Sequence, residues 1–321
     1  MPTRVADRAS GPPGLRLSSK LTRMTDLAGK TVLITGATSG IGFEASVELA
    51  RMGAQLVIVG RNEAKTAPTA EEVRRRSGSN RVDFLVCDFA SQRQVRRLAE
   101  AFHARHNSLH LLVNNVGAVF AKRTLTEDGM EATFAVNHLS YFLLTHLLLD
   151  LLVKSVPARI VNVTSVAHYR GTMDFDDLMF ERGYRLMRAY SRSKLANVLF
   201  TRELARRLKG SGVTVNALHP GAVASNIWSA APRRIRPVLW IAKRLMMTPA
   251  EGAKTILYLA TSRDVEGTTD LYFEKNRPKE PSPLARDDAV AKRLWKESER
   301  LVRITRTVTQ DENNDVTRAS P

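Results

Sequence analysis

Tyr190 and Lys194 lie four residues apart in a stretch with a helical pattern, so their side chains share one face of the helix. An ammonium group beside a phenol favours the phenolate. We therefore expect Lys194 to lower the pKa of Tyr190 from about 10 toward the operating pH. A phenol tuned in this way is a usable general acid or base. Because the same spacing is common on solvated helix faces, its meaning depends on the residues that accompany the pair.

A glycine-rich turn, Thr35 to Gly42, joins the first predicted strand to the first predicted helix. Gly36 permits a tight turn, Gly40 lets the backbone approach a pyrophosphate, and Gly42 allows the helix to pack closely on the strand. The start of the helix offers N–H groups and a positive dipole to phosphates. The turn therefore predicts a dinucleotide site formed by Gly36, Thr38, Ser39, Gly40, Ile41 and Gly42.

Gly60-Arg61-Asn62 follows the second predicted strand, where an NAD-preferring site would place a carboxylate for the ribose 2′-hydroxyl. Arg61 offers a planar fork of donors that can pair with a 2′-phosphate. We therefore predict NADP as the cofactor, with NAD less favoured, and expect Arg61 and Asn62 to bind it. Asp88, followed by Phe89, ends the third strand, where it would either accept a hydrogen bond from adenine or cap the next helix.

The order and spacing of these motifs resemble the short-chain dehydrogenase/reductase family over Gly29 to Glu274. The resemblance rests on the glycine turn, Tyr190 with Lys194, and the segments Asn114-Asn115-Val116-Gly117, Asn137, Ser165 and His219-Pro220-Gly221. It implies that Tyr190 gives or takes the proton and that Lys194 binds the nicotinamide ribose and tunes Tyr190. Ser165 would hold the substrate oxygen, and Asn137 would anchor a water in the proton relay. Further implied cofactor contacts are Phe89, Asn115, Val116, Gly117, Pro220 and Gly221, where Val116 replaces the family's usual alanine.

The long interval between Ser165 and Tyr190 is similar to that of the retinol dehydrogenases and related carbonyl reductases. The segments Gly60-Arg61-Asn62, Tyr190 to Asn197 and Ser282-Pro283-Leu284-Ala285 support the same subgroup. The resemblance implies hydride transfer between an alcohol and an aldehyde or ketone, on a lipophilic substrate such as a retinoid, steroid or fatty aldehyde. A nicotinamide-nucleotide-sensing protein without turnover, or an epimerase or dehydratase of the same fold, is the alternative.

Short apolar runs alternate with helical patterns from Lys30 onward, which predicts an α/β fold. We expect a single Rossmann-type doubly wound parallel sheet with helices on both faces. The predicted strands are Thr31 to Thr35, Leu56 to Val59, Val82 to Val86, Leu109 to Asn114, Arg159 to Thr164, Val213 to Leu218 and Thr269 to Glu274. The predicted helices are Phe43 to Met52, Glu63 to Arg76, Gln92 to His106, Met130 to Lys154, Tyr184 to Lys209 and Pro249 to Ala260.

Residues 29–303 are expected to form one NADP-binding oxidoreductase domain between a basic tail, 1–28, and a polar tail, 304–321. Within it, 222–248 is predicted to cover the substrate.

The formal net charge of +17 favours polyanions, but no nucleic-acid-binding motif accompanies it, and we expect no nucleic-acid partner. We predict no metal site, because no cluster has metal-ligand spacing. We expect the single cysteine, Cys87, to be a buried core residue, and we expect the protein to lie in a reducing, cytoplasmic compartment. Assembly into a homo-oligomer stays open.

Asn226 to Met247 contains tryptophans, methionines and five basic residues but no acidic one. Such a segment lines an apolar pocket, packs as an ordinary capping helix, or contacts an anionic membrane.

For the membrane alternative, we predict that the protein co-sediments with anionic vesicles at low salt, because the basic residues are attracted to the charged headgroups. Neutral vesicles serve as the control. Failure to co-sediment at low salt would remove peripheral membrane contact from consideration.

Overall fold

An eight-stranded sheet crosses the protein in the computed structural model, which describes residues 25–223 and 246–304. The strand order is β3-β2-β1-β4-β5-β6-β7-β8, and every pairing is parallel except that of β8 with β7. The strands are β1 (Thr31–Thr35), β2 (Gln55–Gly60), β3 (Val82–Val86), β4 (Leu111–Asn114), β5 (Ala158–Val163), β6 (Val213–His219), β7 (Tyr272–Glu274) and β8 (Arg277–Pro278). The predicted Rossmann-type doubly wound fold is confirmed.

Helices cover both faces of this sheet. They are α1 (Gly40–Arg51), α2 (Glu63–Ser77), α3 (Gln92–Arg105), α4 (Ala132–Phe134), α5 (Ser140–Leu147), α6 (Leu149–Lys154), α7 (Leu186–Arg207), α8 (Pro249–Thr261) and α9 (Asp288–Leu301). Side chains alternate along each strand, so Val32 and Ile34 pack in the core with α1, α2 and α8. Leu33 lies in the opposite core with α3, α5, α7 and α9. The inner parallel strands are consequently buried on both faces, as their apolar sequences predict, whereas the edge strand β3 is partly exposed.

The predicted helix Met130 to Lys154 is not continuous. It consists of α4, a π-helical stretch Ala135–Leu139, then α5 and α6. In the π-helical stretch, Asn137 Oδ1 accepts a hydrogen bond from the Ala118 backbone N–H at 2.7 Å, and its Nδ2 donates to the Ala118 carbonyl at 3.0 Å. A π-helical turn widens the helix locally, and such turns often lie at functional sites. Hydrophobic periodicity does not report a contact between segments this far apart in the sequence.

Most of the predicted tails and most of segment 222–248 lie outside the described residues, so their roles stay predictions, although Leu27 of the predicted basic tail is buried in the core. Within the described parts of the chain, no helix is long and apolar enough to cross a membrane. In the same parts, no group of three or more His, Cys, Asp or Glu residues is arranged to hold a metal ion. Cys87 is fully buried, and burial raises the pKa of its thiol.

Candidate active site

A cavity of about 800 Å³ opens at the carboxyl ends of the parallel strands, where open α/β sheets bind their ligands. The predicted catalytic residues Ser165, Tyr190 and Lys194 line it, whereas Asn137 does not. The predicted cofactor residues that line it are Gly36, Thr38, Ser39, Gly40, Ile41, Gly42, Arg61, Asn62, Asp88, Phe89, Asn115, Val116, Gly117, Tyr190, Lys194, Pro220 and Gly221. The structure thus brings these segments to one site, while the role of each residue stays a prediction.

The glycines of the first turn are required by contacts within the protein. Gly36 has φ +66°, and a Cβ atom on it would lie 2.7 Å from the Val116 Cα. A Cβ atom on Gly42 would lie 2.5 Å from the Asn115 Nδ2 and 2.6 Å from the Gly36 carbonyl oxygen. The glycines therefore let α1 and the turn pack directly against the end of β4.

Hydrogen bonds join the carboxyl ends of β1 and β4. The Thr35 hydroxyl accepts from the backbone N–H groups of Asn115 at 2.9 Å and Val116 at 3.1 Å. The Asn115 side chain donates to the carbonyl oxygens of Thr35 at 2.8 Å and Gly36 at 3.1 Å. Asn115 thus fixes the glycine turn, a structural role that its place in the motif does not reveal.

The start of α1 faces the cavity without a side-chain cap. Ser39 is the N-cap residue, but its side chain makes no capping hydrogen bond. In contrast, Asn62 caps α2 through the Lys65 backbone N–H, and Ser91 caps α3 through the Gln94 backbone N–H. The first-turn N–H groups of α1 therefore remain available to an anion, and this donor set fits the phosphates of a dinucleotide.

Positive side chains and one carboxylate line the part of the cavity next to β2 and β3. Arg61 and Lys65 lie there, and Asp88 is the one carboxylate among the described lining residues. Asp88 does not cap α3, because Ser91 does. Its Oδ1 instead accepts from the Ala90 backbone N–H at 3.0 Å. The capping alternative for Asp88 is therefore wrong, and adenine binding stays a prediction.

Tyr190 and Lys194 lie on the buried face of α7, with 7% and 3% of their surfaces exposed. The Lys194 Nζ lies 5.8 Å from the centroid of the Tyr190 ring and donates to the Val163 carbonyl oxygen at 3.1 Å. The Ser165 side chain lies close enough to the Tyr190 phenol to favour its ionised form. Ser165 follows β5 and also accepts from the Ala167 backbone N–H at 3.2 Å. One serine hydroxyl and one phenol consequently face the same part of the cavity.

Burial controls the proton affinity of this group. It raises the pKa of the Tyr190 phenol above its ordinary value, although the hydrogen bond from Ser165 opposes this change. Burial also lowers the pKa of Lys194 to about 7, because the charged ammonium is poorly solvated. The expectation that Lys194 lowers the pKa of Tyr190 is therefore wrong here, since a partly neutral amine 5.8 Å from the ring cannot outweigh burial. Tyr190 keeps its proton near neutral pH.

Asn137 connects the π-helical stretch to α7 from behind the cavity. Its Nδ2 donates to the Ser193 hydroxyl at 2.9 Å, and that hydroxyl donates to the Tyr190 carbonyl at 2.8 Å. The Asn197 Nδ2 donates to the Asn137 carbonyl at 2.8 Å. Asn137 therefore orients the helix that carries Tyr190. Its side chain is already bonded to Ala118 and Ser193, and the water-anchoring role stays a prediction.

Two histidines near the site are buried and neutral. Burial lowers the pKa of both His138 and His219 to about 4. His138 contacts the Ser298 hydroxyl of α9 through Nε2 at 2.9 Å, away from the cavity. His219 lines the cavity beside Pro220. Neither is a base that titrates near neutral pH.

Part of the apolar wall of the cavity was not predicted from the sequence. These residues come from the segment after β4, from α4 and from the π-helical stretch: Phe120, Leu125, Ala132 and Val136. Val223 and Met246 also line the cavity, and both lie in the segment 222–248 that is predicted to cover the substrate. Lys65, in the first turn of α2, was also missed, although its place close after Arg61 in the sequence could have indicated it.

A family model described as short chain dehydrogenase matches residues 30–235. Retinol dehydrogenase 13 of Homo sapiens is 41% identical to this chain over 285 residues, which are 86% of this chain and 85% of the relative. Retinol dehydrogenase 12 of Bos taurus is 43% identical over 279 residues, 87% of this chain and 88% of the relative.

Solved structures resemble the fold as well. An uncharacterised protein from Mycobacterium paratuberculosis is 33% identical, with a TM-score of 0.72 over 88% of this chain and 96% of that one. The active-site complex of Pseudomonas aeruginosa RhlG with NADP is 29% identical, with a TM-score of 0.63 over 77% of this chain and 95% of that one.

We predict that Gly42→Ala raises the Kd for NADPH by at least about tenfold, because the new Cβ must displace Asn115 or the Gly36 carbonyl. Fluorescence titration measures this affinity. Gly78→Ala is the control: Gly78 has φ +73° and open space around its Cβ, and it ends α2 away from the cavity. Its substitution should lower the melting temperature and leave the Kd unchanged. Equal effects of the two variants on the Kd would contradict the role assigned to Gly42.

Proposed function

The chain belongs to the short-chain dehydrogenase family, in its retinol-dehydrogenase-like branch, and from this membership we propose an NADP(H)-dependent oxidoreductase that interconverts a lipophilic alcohol and its aldehyde or ketone. Oxidoreduction between alcohol and carbonyl is the chemistry that the family and these relatives support. One observation carries the proposal. Ser165, Tyr190 and Lys194 line the same cavity as the uncapped start of α1.

In this proposal the nicotinamide cofactor, when bound, supplies or accepts the hydride. The Ser165 hydroxyl binds the substrate oxygen and orients it toward Tyr190. The Tyr190 hydroxyl donates its proton to that oxygen as the carbonyl is reduced. Lys194, bonded to the Val163 carbonyl at 3.1 Å, stands beside Tyr190 to bind the cofactor ribose. Because burial raises the pKa of Tyr190, the phenol keeps a proton that it can donate when the carbonyl is reduced.

The preference for NADP(H) is supported by charge. Arg61 and Lys65 line the cavity after β2, and Asp88 after β3 is the one carboxylate among its described lining residues. No described carboxylate after β2 is thus available to accept a hydrogen bond from a ribose 2′-hydroxyl. The related RhlG was solved with NADP.

The lipophilic substrate class is supported by the apolar wall. Phe120, Leu125, Val136 and Val166 line the cavity together with Met246, and such a surface favours an apolar ligand. The relatives at 41% and 43% identity are named as retinol dehydrogenases. A lipophilic substrate partitions into membranes, so a cytoplasmic enzyme that contacts a membrane would meet it there. The vesicle experiment tests that contact.

Tyr190→Phe should lower kcat for NADPH-driven reduction of aldehydes and ketones by at least about 100-fold, because it removes the proton donor. NADPH binding should stay nearly unchanged, since Phe keeps the ring. Loss of nicotinamide absorbance measures turnover over a substrate panel. Tyr258→Phe removes a phenol on α8, on the other side of the sheet, and serves as the control. Normal turnover by Tyr190→Phe would refute the mechanism, and a wild type that binds NADPH but reduces nothing would favour a sensing role.

Arg61→Ala should weaken NADPH binding by about tenfold or more, because a charge-assisted hydrogen bond to the 2′-phosphate is lost. The affinity for NADH should not change, since NADH lacks that phosphate. Isothermal titration with both cofactors measures the ratio. Arg75→Ala, which removes an exposed α2 arginine paired with Glu72, controls for net charge. Parallel losses for NADPH and NADH would contradict cofactor selection by Arg61.

A further inference from the structure

The turn that follows Ser165 is held by a fully buried histidine, His168. The His168 ring lies with Nδ1 2.7 Å from the Ser165 carbonyl oxygen. The Ser282 backbone N–H donates to the opposite ring nitrogen, Nε2, at 3.2 Å. Because Nε2 must accept, the ring proton sits on Nδ1 and is donated to Ser165. Burial lowers the pKa of His168, which keeps the ring in this neutral form.

A second pair of contacts joins the same two segments. The Tyr169 hydroxyl donates to the Glu280 carbonyl oxygen. The Lys279 Nζ lies 5.6 Å from the centroid of the Tyr169 ring and forms an ion pair with Glu274. The segment 279–285, which follows β8, therefore contacts the turn through His168 and Tyr169 independently.

The other side of the turn rests on the catalytic helix. A Cβ atom on Gly171 would lie 2.7 Å from the Leu195 Cβ and 2.7 Å from the Ser191 carbonyl oxygen. Both residues are neighbours of the catalytic pair on α7. The turn 165–171 is thus enclosed between α7 and segment 279–285, and its position depends on both.

We propose that His168 is a positioning residue, which fixes the catalytic Ser165 through its main-chain carbonyl and is itself oriented by the Ser282 N–H. This inference rests on the proposed function, because it assigns Ser165 a role in turnover. His168 does not line the cavity, and Ser165 is the catalytic residue to which its ring is bonded. Ser165 must hold its hydroxyl against Tyr190 and the substrate oxygen together, and small displacements of such a group are costly to the rate.

Three substitutions separate the two hydrogen bonds from simple packing. His168→Phe keeps a ring against Tyr169 and Tyr272, whose centroids lie 4.1 and 4.7 Å from that of His168, but removes both bonds. His168→Asn keeps a donor near the position of Nδ1, and His168→Gln keeps an acceptor near that of Nε2. The control is His106→Phe, because His106 is also buried against an aromatic ring, Phe102, but lies far from the cavity.

We expect kcat to fall by about 10- to 100-fold in His168→Phe and His168→Gln, and by less than about threefold in His168→Asn and His106→Phe. The Kd for NADPH should stay within about twofold in all four. In a Ser165→Ala background, His168→Phe should cause no further loss, because two changes that act through one group are not additive. Additive losses, or equal losses in Asn and Gln variants, overturn the proposal.

Hydrogen exchange provides a readout that does not need turnover. His168→Phe should speed amide exchange in both 165–171 and 279–285, because each segment loses its hydrogen bond to the ring. Unchanged exchange in both segments overturns the proposal whatever the activity. If Ser165→Ala and Tyr190→Phe leave turnover intact, the proposed function fails as well. If those two lower turnover and His168→Phe does not, the positioning role alone fails.

Discussion

The arrangement of the site depends on the hydrogen bonds between Thr35 and Asn115. The strand order runs 3-2-1 in one direction and 4-5-6-7 in the other. The segments that follow the paired strands β1 and β4 therefore turn to opposite faces of the sheet and leave a crevice between them. The Thr35 hydroxyl and the Asn115 amide bridge that crevice through their bonds to the opposite strand. The cofactor turn after β1 and the cavity wall after β4 are thereby held at a constant separation. Each remaining part of the site is built outward from this bridge.

The sequence predicted the sheet well because its inner strands are buried on both faces and therefore appear as short apolar runs. The seven parallel strands in the described part of the chain were located, with ends that shift by up to three residues, as Thr269 against Tyr272 illustrates. The antiparallel strand β8 was missed, since two exposed residues carry no apolar signal. The π-helical stretch at Asn137 was also missed. Within it the Asn137 side chain forms hydrogen bonds to Ala118 and Ser193, and local periodicity contains no information about partners so distant in the sequence.

The motifs predicted the positions of the site residues better than they predicted the pKa values of those residues. Glycine spacing and the Tyr190–Lys194 pair suffice to identify one cavity, because strand ends converge there. The acidity of Tyr190 was predicted with the wrong sign, since sequence spacing reveals a neighbouring amine but not how deeply both groups are buried. Phe120 and Leu125 were missed for a related reason. Their loop is held in place by contacts such as the hydrogen bond from the Gln92 backbone N–H to the Asp128 side chain. Local sequence patterns do not predict contacts of this kind.

Contacts of the segment after β7 reach back across the whole fold. Ser282 donates to His168, Ser298 contacts His138, and the Gln92 side chain donates to the Leu301 carbonyl oxygen at 3.1 Å. Translation proceeds from the amino end, so the ribosome makes this segment after every other element described. A nascent chain that ends before Ser282 already contains the glycine turn and the Tyr190 helix, but the partner that orients His168 has not been made. The hydrogen bond from Ser282 to His168 can therefore form only after the rest of the described site has been synthesised.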